Sequence, residues 1–467
     1  MKTLILKVEA LIKSKIVLYL MLGLGSFVYG ILCFGKTIWL DEALTGSFIR
    51  MGWWELISFT ATDVHPPLYY LIAKLGITLF GDHIYIVKIF SYIPFVFTLF
   101  LTATKVRKNY GEKAAFVLMA LLCTTPCIID RNVEIRMYQW ALFFVFAFAI
   151  YLFEAVRNKE VWTWYIGLFY GVCAAYTHYY ALIAVIILYA IVFFSNIKEK
   201  TIVFAILRNA IISIIAYLPW VVVFLNQAMT LKETGWWQEA SLGLKDVYDY
   251  IVWPFVDRTG YEPAFFLILL FLVLICTLRK KSTNRMEILS CIGTYLLLIF
   301  SGLMIILFYQ PVFITRFIYP TVGILLLGLA LAIAKWRTEV ICGICIVILF
   351  LGAKTYNSQF HYQFNEDSIP KLMTFMETTE PEETAILCDQ DAVKCIVEYL
   401  YPEYFIKCVD KAEKTEIEGK NVYYFVCDPA NIEEDKLQSF GLEEHEFVDN
   451  IFVQFHSFDI YAVYGER

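Results

Sequence analysis

The sequence predicts a polytopic α-helical membrane protein of about eleven transmembrane helices, followed by a small extracytoplasmic α/β domain. Three observations predict it. Of 467 residues, 60% are hydrophobic and 18% charged, more apolar surface than a soluble chain of this size has interior to bury. Runs of about 20 apolar residues, enough to cross a bilayer, crowd the first three quarters. From Lys354 onward there are 24 acidic against 9 basic side chains, a net of −15, whereas the whole chain carries −6. The part before it is therefore near +9, and residues 1–353 and 354–467 read as a membrane domain and an acidic soluble domain.

The opening MKTLILKVEALIKSK carries charges on both sides of its first apolar stretch, with no small-residue cleavage site after it. Residues 16–34 are therefore expected as an uncleaved first span. The remaining spans are expected at 84–104, 113–129, 137–155, 162–177, 179–196, 201–225, 263–278, 286–309, 317–334 and 338–353. The stretch Leu68–Phe80 is too short for a crossing and contains Lys74. Laid on the outer surface, with Tyr69, Tyr70 and Lys74 near the headgroups, it leaves every short basic cluster on one side. These are Lys105-Val106-Arg107-Lys108, Arg157 with Lys159, Lys198 with Lys200, Arg279-Lys280-Lys281 and Lys335-Trp336-Arg337. The positive-inside rule makes that side cytoplasmic, with the N-terminus inside and the tail outside.

Four external segments result: 35–83, 130–136, 226–262 and 310–316. They hold Asp41-Glu42, Asp63-Val64-His65-Pro66-Pro67, Glu134-Ile135-Arg136 and Arg316. The third also holds Gly235-Trp236-Trp237-Gln238-Glu239, Asp246, Asp249, Trp253 and Asp257-Arg258. In the tail, residues 385–388, 404–409 and 422–427 read as strands, residues 447–464 are rich in β-formers, and 392–400 and 431–440 read as helices. Asp389 and Asp428 end two of the strands as turn residues or helix caps do. Eight of the twelve cysteines lie in the membrane part as small hydrophobes. The four in the tail, Cys388, Cys395, Cys408 and Cys427, match no zinc spacing, and so acidic a tail repels phosphate and argues against nucleic acid as a partner.

Chemistry is confined to few residues. Asp41, just outside the first span, suits a general base taking a proton from an acceptor hydroxyl; the plain alternative is that Asp41 and Glu42 cap the following helix. The two prolines after His65 make a stiff corner that aims Asp63 and His65 back at the first loop. His65 reads equally as a phosphate or metal contact and as a turn residue, and Asp41, Asp63 and His65 together are a possible divalent-cation site. Arg136 and Arg316 sit at the outer edges of apolar helices, where arginines either snorkel or clamp a lipid phosphate with two hydrogen bonds. Tyr138, Tyr319 and His178 read as interfacial.

An Asp-Glu pair after span one, His-Pro-Pro-Leu-Tyr-Tyr, Arg-Met-Tyr after span three and a late Arg-Phe-x-x-Pro are together similar to bacterial membrane glycosyltransferases. The likeness, over residues 16–353, is to the dolichyl-phosphate-mannose protein mannosyltransferase and aminoarabinose transferase type. The resemblance implies the GT-C fold and transfer of a sugar from a polyprenyl-phosphate donor to an envelope glycan, lipid or wall polymer outside the membrane, normally with inversion. By that likeness Asp41 is the essential carboxylate and Glu42 its neighbour. His65 belongs to a membrane-surface segment lining the cavity, and Glu134, Arg136 and Tyr138 match a Glu-x-Arg-x-Tyr motif. Arg316 and Tyr319 match a late motif contacting donor phosphate. Val64 departs from the aminoarabinose type, which is acidic there. Two other classes stand beside this one: a transporter or flippase, which needs ionisable groups at mid-membrane or repeated halves, and an inactive scaffold.

Overall fold

The computed structural model describes residues 2–233, 243–256, 263–279, 284–364, 369–427, 432–453 and 456–465. The protein is a polytopic α-helical membrane protein. Among the described residues, seven helical stretches are long and apolar enough to cross a membrane: Lys15–Phe34, Ile84–Tyr110, Tyr138–Asn158, Lys200–Thr230, Arg285–Phe308, Thr315–Ile333 and one beginning at Thr338. Val161–Ala175, Tyr179–Ser195 and Pro263–Leu278 are shorter apolar helices, so of the eleven expected crossings seven are clear by length. The expected span 113–129 is not one helix. Glu112–Leu122 stops, Cys123–Thr125 turns, and Pro126–Arg131 begins afresh, because Pro126 has no N–H to continue the ladder and suits a first helical turn.

The helices Tyr138–Asn158 and Val322–Ile333 are buried almost throughout and form the centre of the bundle. Around their leading ends lies the segment 35–83. Helix α1 (Lys2–Ile12) precedes the first span α2 (Lys15–Ile31), and α3 (Leu40–Arg50), α4 (Trp53–Thr62) and α5 (Leu68–Phe80) follow it. Helix α6 (Ile84–Leu101) then returns through the bundle. At 13 residues and about 1.5 Å per residue, α5 is far shorter than a ~30 Å hydrocarbon core.

One expectation about α5 is overturned. Tyr69 and Tyr70 are fully buried and Lys74 is 7% exposed, so none of them faces headgroups. The Tyr69 hydroxyl hydrogen-bonds to Ser91 on α6 at 2.8 Å, and the lysine turns inward to backbone carbonyls. The face of α5 left outside is apolar, with Leu79 and Phe80 exposed.

The last long helix runs Thr338–Phe364, past the expected end at 353, and carries the chain into the tail domain. There β1 (Thr384–Cys388), β2 (Phe405–Cys408), β3 (Asn421–Val426), β4 (Glu444–Val453) and β5 (His456–Tyr464) form one sheet in the order β2-β1-β3-β5-β4. The first three strands are parallel, with Cys388 paired to Cys408 and to Phe425. The last two are an antiparallel hairpin, so the β-rich stretch 447–464 is two strands with a bulge at Phe447/Asp449.

The domain is seated on α3. Tyr399, on helix Asp391–Leu400, packs so closely over Gly46 that a Cβ there would lie 2.2 Å from its ring. The Arg50 guanidinium lies 4.4 Å over that ring and donates to the Tyr399 carbonyl at 3.0 Å.

Candidate active site

The loop after α2 leads through Trp39 into α3, whose first turn carries Asp41 and Glu42. Carboxylates are favoured there because the first turn leaves N–H groups without helical partners. The two carboxylates do different work. Glu42 is buried and spends both oxygens on backbone: Oε2 accepts from Trp39 N at 3.1 Å, closing the helix start, and Oε1 accepts from Ile135 N at 2.7 Å. Burial raises its pKa, with Lys88 opposing and Glu134 adding to the rise. Glu42 therefore fixes the loop carrying Arg136 to α3, with both its oxygens engaged by backbone N–H groups.

Asp41 faces two guanidinium groups. Its Oδ2 lies 3.1 Å from Arg316 Nη2 and 3.7 Å from Arg136 Nη2. Arg136 also donates to Thr45 Oγ1 at 3.1 Å and the Asp41 carbonyl at 3.4 Å, while Arg316 is stacked 4.9 Å over the Trp39 ring. Two fixed cations thus share one carboxylate. Glu134 does not offset the excess, because Arg131 holds it at 2.7 Å. Arg136 Nε, Arg316 Nε, the Tyr138 hydroxyl and His178 Nε2 are buried with no hydrogen-bond partner among the described residues. Such groups are costly to bury unpaired, and together they form a donor-rich place for an anion.

The remaining expected residues gather around it. Tyr138 lies 6.2 Å from Tyr319 and 5.8 Å from His178, ring to ring, and His178 lies 5.9 Å from His65. All four are buried, not interfacial, and the Tyr319 hydroxyl donates to Gln139 Oε1. His65 Nδ1 is 3.6 Å from Asp63 Oδ2, which accepts from the Tyr70 hydroxyl at 3.3 Å. Burial lowers the pKa of His65 and of His178, and His178 Nδ1 accepts from Tyr180 N at 3.1 Å, which leaves Nε2 as the protonated, donating nitrogen. Beside the histidines is a cavity of about 260 Å³ whose other walls include Phe224, Ile305, Tyr309 and Phe317.

Among the described residues no three His, Cys, Asp or Glu side chains gather as a metal ion would require. Of the three residues that the sequence offered for a cation, Asp63 and His65 lie together and Asp41 is paired with the two arginines. Trp253 does join the site region, 5.6 Å from the Arg131 guanidinium and 6.4 Å from Tyr319, and Asp246 caps its own helix by accepting from Gly243 N at 2.7 Å. Gly235–Glu239, Asp257-Arg258 and Asp428 lie outside the described residues. The sequence reading missed Lys88, buried on α6 and bonded to carbonyls of the loop before α3; the signal was a lone lysine inside an otherwise apolar span.

Residues 64–224 match the family of dolichyl-phosphate-mannose-protein mannosyltransferases. Among solved structures the chain is similar to ArnT from Cupriavidus metallidurans bound to undecaprenyl phosphate. The TM-score is 0.58 at 11% identity, over 95% of this chain and 97% of that one. The apo form of the same protein gives 0.53 at 10% identity, with the same coverage. This is a GT-C-fold membrane protein. The oligosaccharyltransferase of Archaeoglobus fulgidus, in complex with zinc and sulfate, shares the GT-C fold at a TM-score of 0.54 and 12% identity, covering 90% of this chain and 69% of that one. No curated protein matches the chain by sequence.

Proposed function

We propose that this GT-C protein is a glycosyltransferase. It moves a sugar from a polyprenyl phosphate to a hydroxyl of an envelope glycan, lipid or wall polymer at the outer face of the membrane. The observation that carries the reading is Asp41 held between Arg136 and Arg316, with buried donors unpartnered beside them. A crystal structure similar in fold holds undecaprenyl phosphate, which supports a lipid phosphate as the anion.

In this reading the donor phosphate takes over the two guanidinium groups and leaves the Asp41 carboxylate free. The acceptor hydroxyl gives its proton to Asp41 as its oxygen bonds the anomeric carbon, and the bond from that carbon to the phosphate oxygen breaks. Polyprenyl phosphate leaves with the electron pair. Its growing charge meets arginines already in place, which favours the transition state over the ground state. One base suffices, because phosphate leaves without an acid, and a single displacement inverts the anomeric centre.

Sidedness follows from the same arrangement. Lys105–Glu154, Arg157–Glu287 and Lys113–Glu9 pairs lie at the opposite ends of the helices from Asp41. The positive-inside rule makes those ends cytoplasmic and puts the site and the tail domain outside. The test is loss of labelled sugar from a panel of polyprenyl-phosphate donors, with membrane extract as acceptor. Asp41→Asn is expected to slow transfer by about 10²–10⁴-fold with donor binding retained. Equal turnover in the two proteins overturns the role of Asp41, and no turnover of any donor by the unaltered protein counts against transfer.

A further inference from the structure

Two lysines in otherwise apolar helices point inward, and neither makes an ion pair among the described residues. Lys88, on α6, is fully buried. Its ammonium donates to the carbonyls of Gly35 and Thr37, each at 2.8 Å, and to Gln363 Oε1 at 2.7 Å. Lys74, on α5, donates to the carbonyl of Ile49 at 3.1 Å and to that of Met51. An ammonium has three donors and no acceptor, and taking one out of water is expensive unless those donors are used. Lysines that only filled space would be replaceable by methionine.

The acceptors all lie on one segment or on the helix that braces it. Gly35 and Thr37 belong to the strap entering α3, and Ile49 and Met51 are where α3 ends. Carbonyls at a helix C-terminus lack helical partners and carry its negative pole, which suits a cation. Asp41 and Glu42 lie between the two attachments. Gln363 comes from the far end of the helix Thr338–Phe364, where the Tyr362 carbonyl also accepts from the Thr37 hydroxyl at 2.8 Å.

We infer that Lys88 and Lys74 are positioning residues that hold the two ends of the segment 35–51, so that Asp41 meets Arg136 and Arg316. The inference rests on the transferase reading for its kinetic consequence but not for its structural one. Lys88 further sets a positive charge near Glu42, whose Oε1 accepts from Ile135 N and so keeps the Arg136 loop against α3. Loss of Lys88 therefore loosens the carboxylate and one of its arginines together.

The test uses the full chain in lipid nanodiscs with Lys88→Met, Lys74→Met and Gln363→Leu. The last keeps the ammonium and removes one acceptor, so it decides the matter should a lysine variant fail to fold. Amide exchange in residues 35–51 is expected to rise by about tenfold while that of the helix Tyr138–Asn158 stays unchanged. Turnover per folded molecule falls by up to about a hundredfold, as misplacement by an ångström does, with KM for the donor held. Unchanged exchange in 35–51, or exchange rising evenly over the bundle, overturns the inference whether or not the protein transfers sugar. A lysine variant of full turnover overturns it as well. Exchange that rises as expected in a protein turning over no donor sinks only the transferase reading.

Discussion

Residue chemistry at this site turns on a mismatch of charge. One carboxylate between two guanidinium groups leaves positive charge over, and a guanidinium stays protonated at any physiological pH, so the excess is permanent. The histidines behave differently. His65 and His178 are buried, and burial holds the pKa of each below the ordinary 6.5. A depressed folded-state pKa means the unfolded chain takes up a proton first as pH falls. Their contribution to stability is therefore fully present above about pH 6.5, and it is lost as pH falls through the lower folded values. The unfolding midpoint in lipid is expected to drop between pH 7 and 5, and His178→Phe is expected to flatten that profile. An unaltered slope in the variant contradicts the assignment. Asp41, Arg136 and Arg316 were legible in the sequence because a charge at the end of an apolar run stands out. Lys88 was not placed, since its partner Gln363 lies 275 residues away.

Among the elements, α3 joins the site to the tail domain. Its first turn carries the site, its ends are tied to α5 and α6, and its outer face supports the tail domain through Gly46. A side chain at Gly46 has nowhere to go: Tyr399 is stacked under Arg50, and Arg50 is itself held by Asp82 at 2.7 Å. Gly46→Val is expected to cost about 1–3 kcal/mol by overpacking. It should also speed limited proteolysis of the tail while leaving the bundle intact; a tail as resistant as before contradicts the seating. The strands and helices of the tail were legible from alternation and composition. That α5 faces inward was not, because hydropathy finds a helix without saying which face meets lipid and which meets protein. The break at Cys123–Thr125 was likewise hidden, since Pro126 within an apolar run reads as a kinked span until the turn before it is seen.

Over the whole molecule the site is assembled from parts far apart in the chain: Asp41 after the first span, Arg136 before the helix Tyr138–Asn158, and Arg316 some 180 residues later. The order and common sidedness of these charges were readable, and basic loop clusters gave that sidedness; the number of crossings was less so, because several helices are too short to count by length. In the proposed reaction the two arginines, brought together by the fold, receive a lipid phosphate. The most direct measurement is binding of undecaprenyl phosphate, against undecaprenol as the uncharged control, to the protein and to Arg316→Gln in nanodiscs. Loss of a charge-assisted hydrogen bond is worth about 1.5–3 kcal/mol, so the variant is expected to bind the phosphate about tenfold to a hundredfold more weakly and the alcohol no differently. Equal affinity of the unaltered protein for phosphate and alcohol, or an Arg316→Gln protein that binds phosphate as well as before, would contradict it.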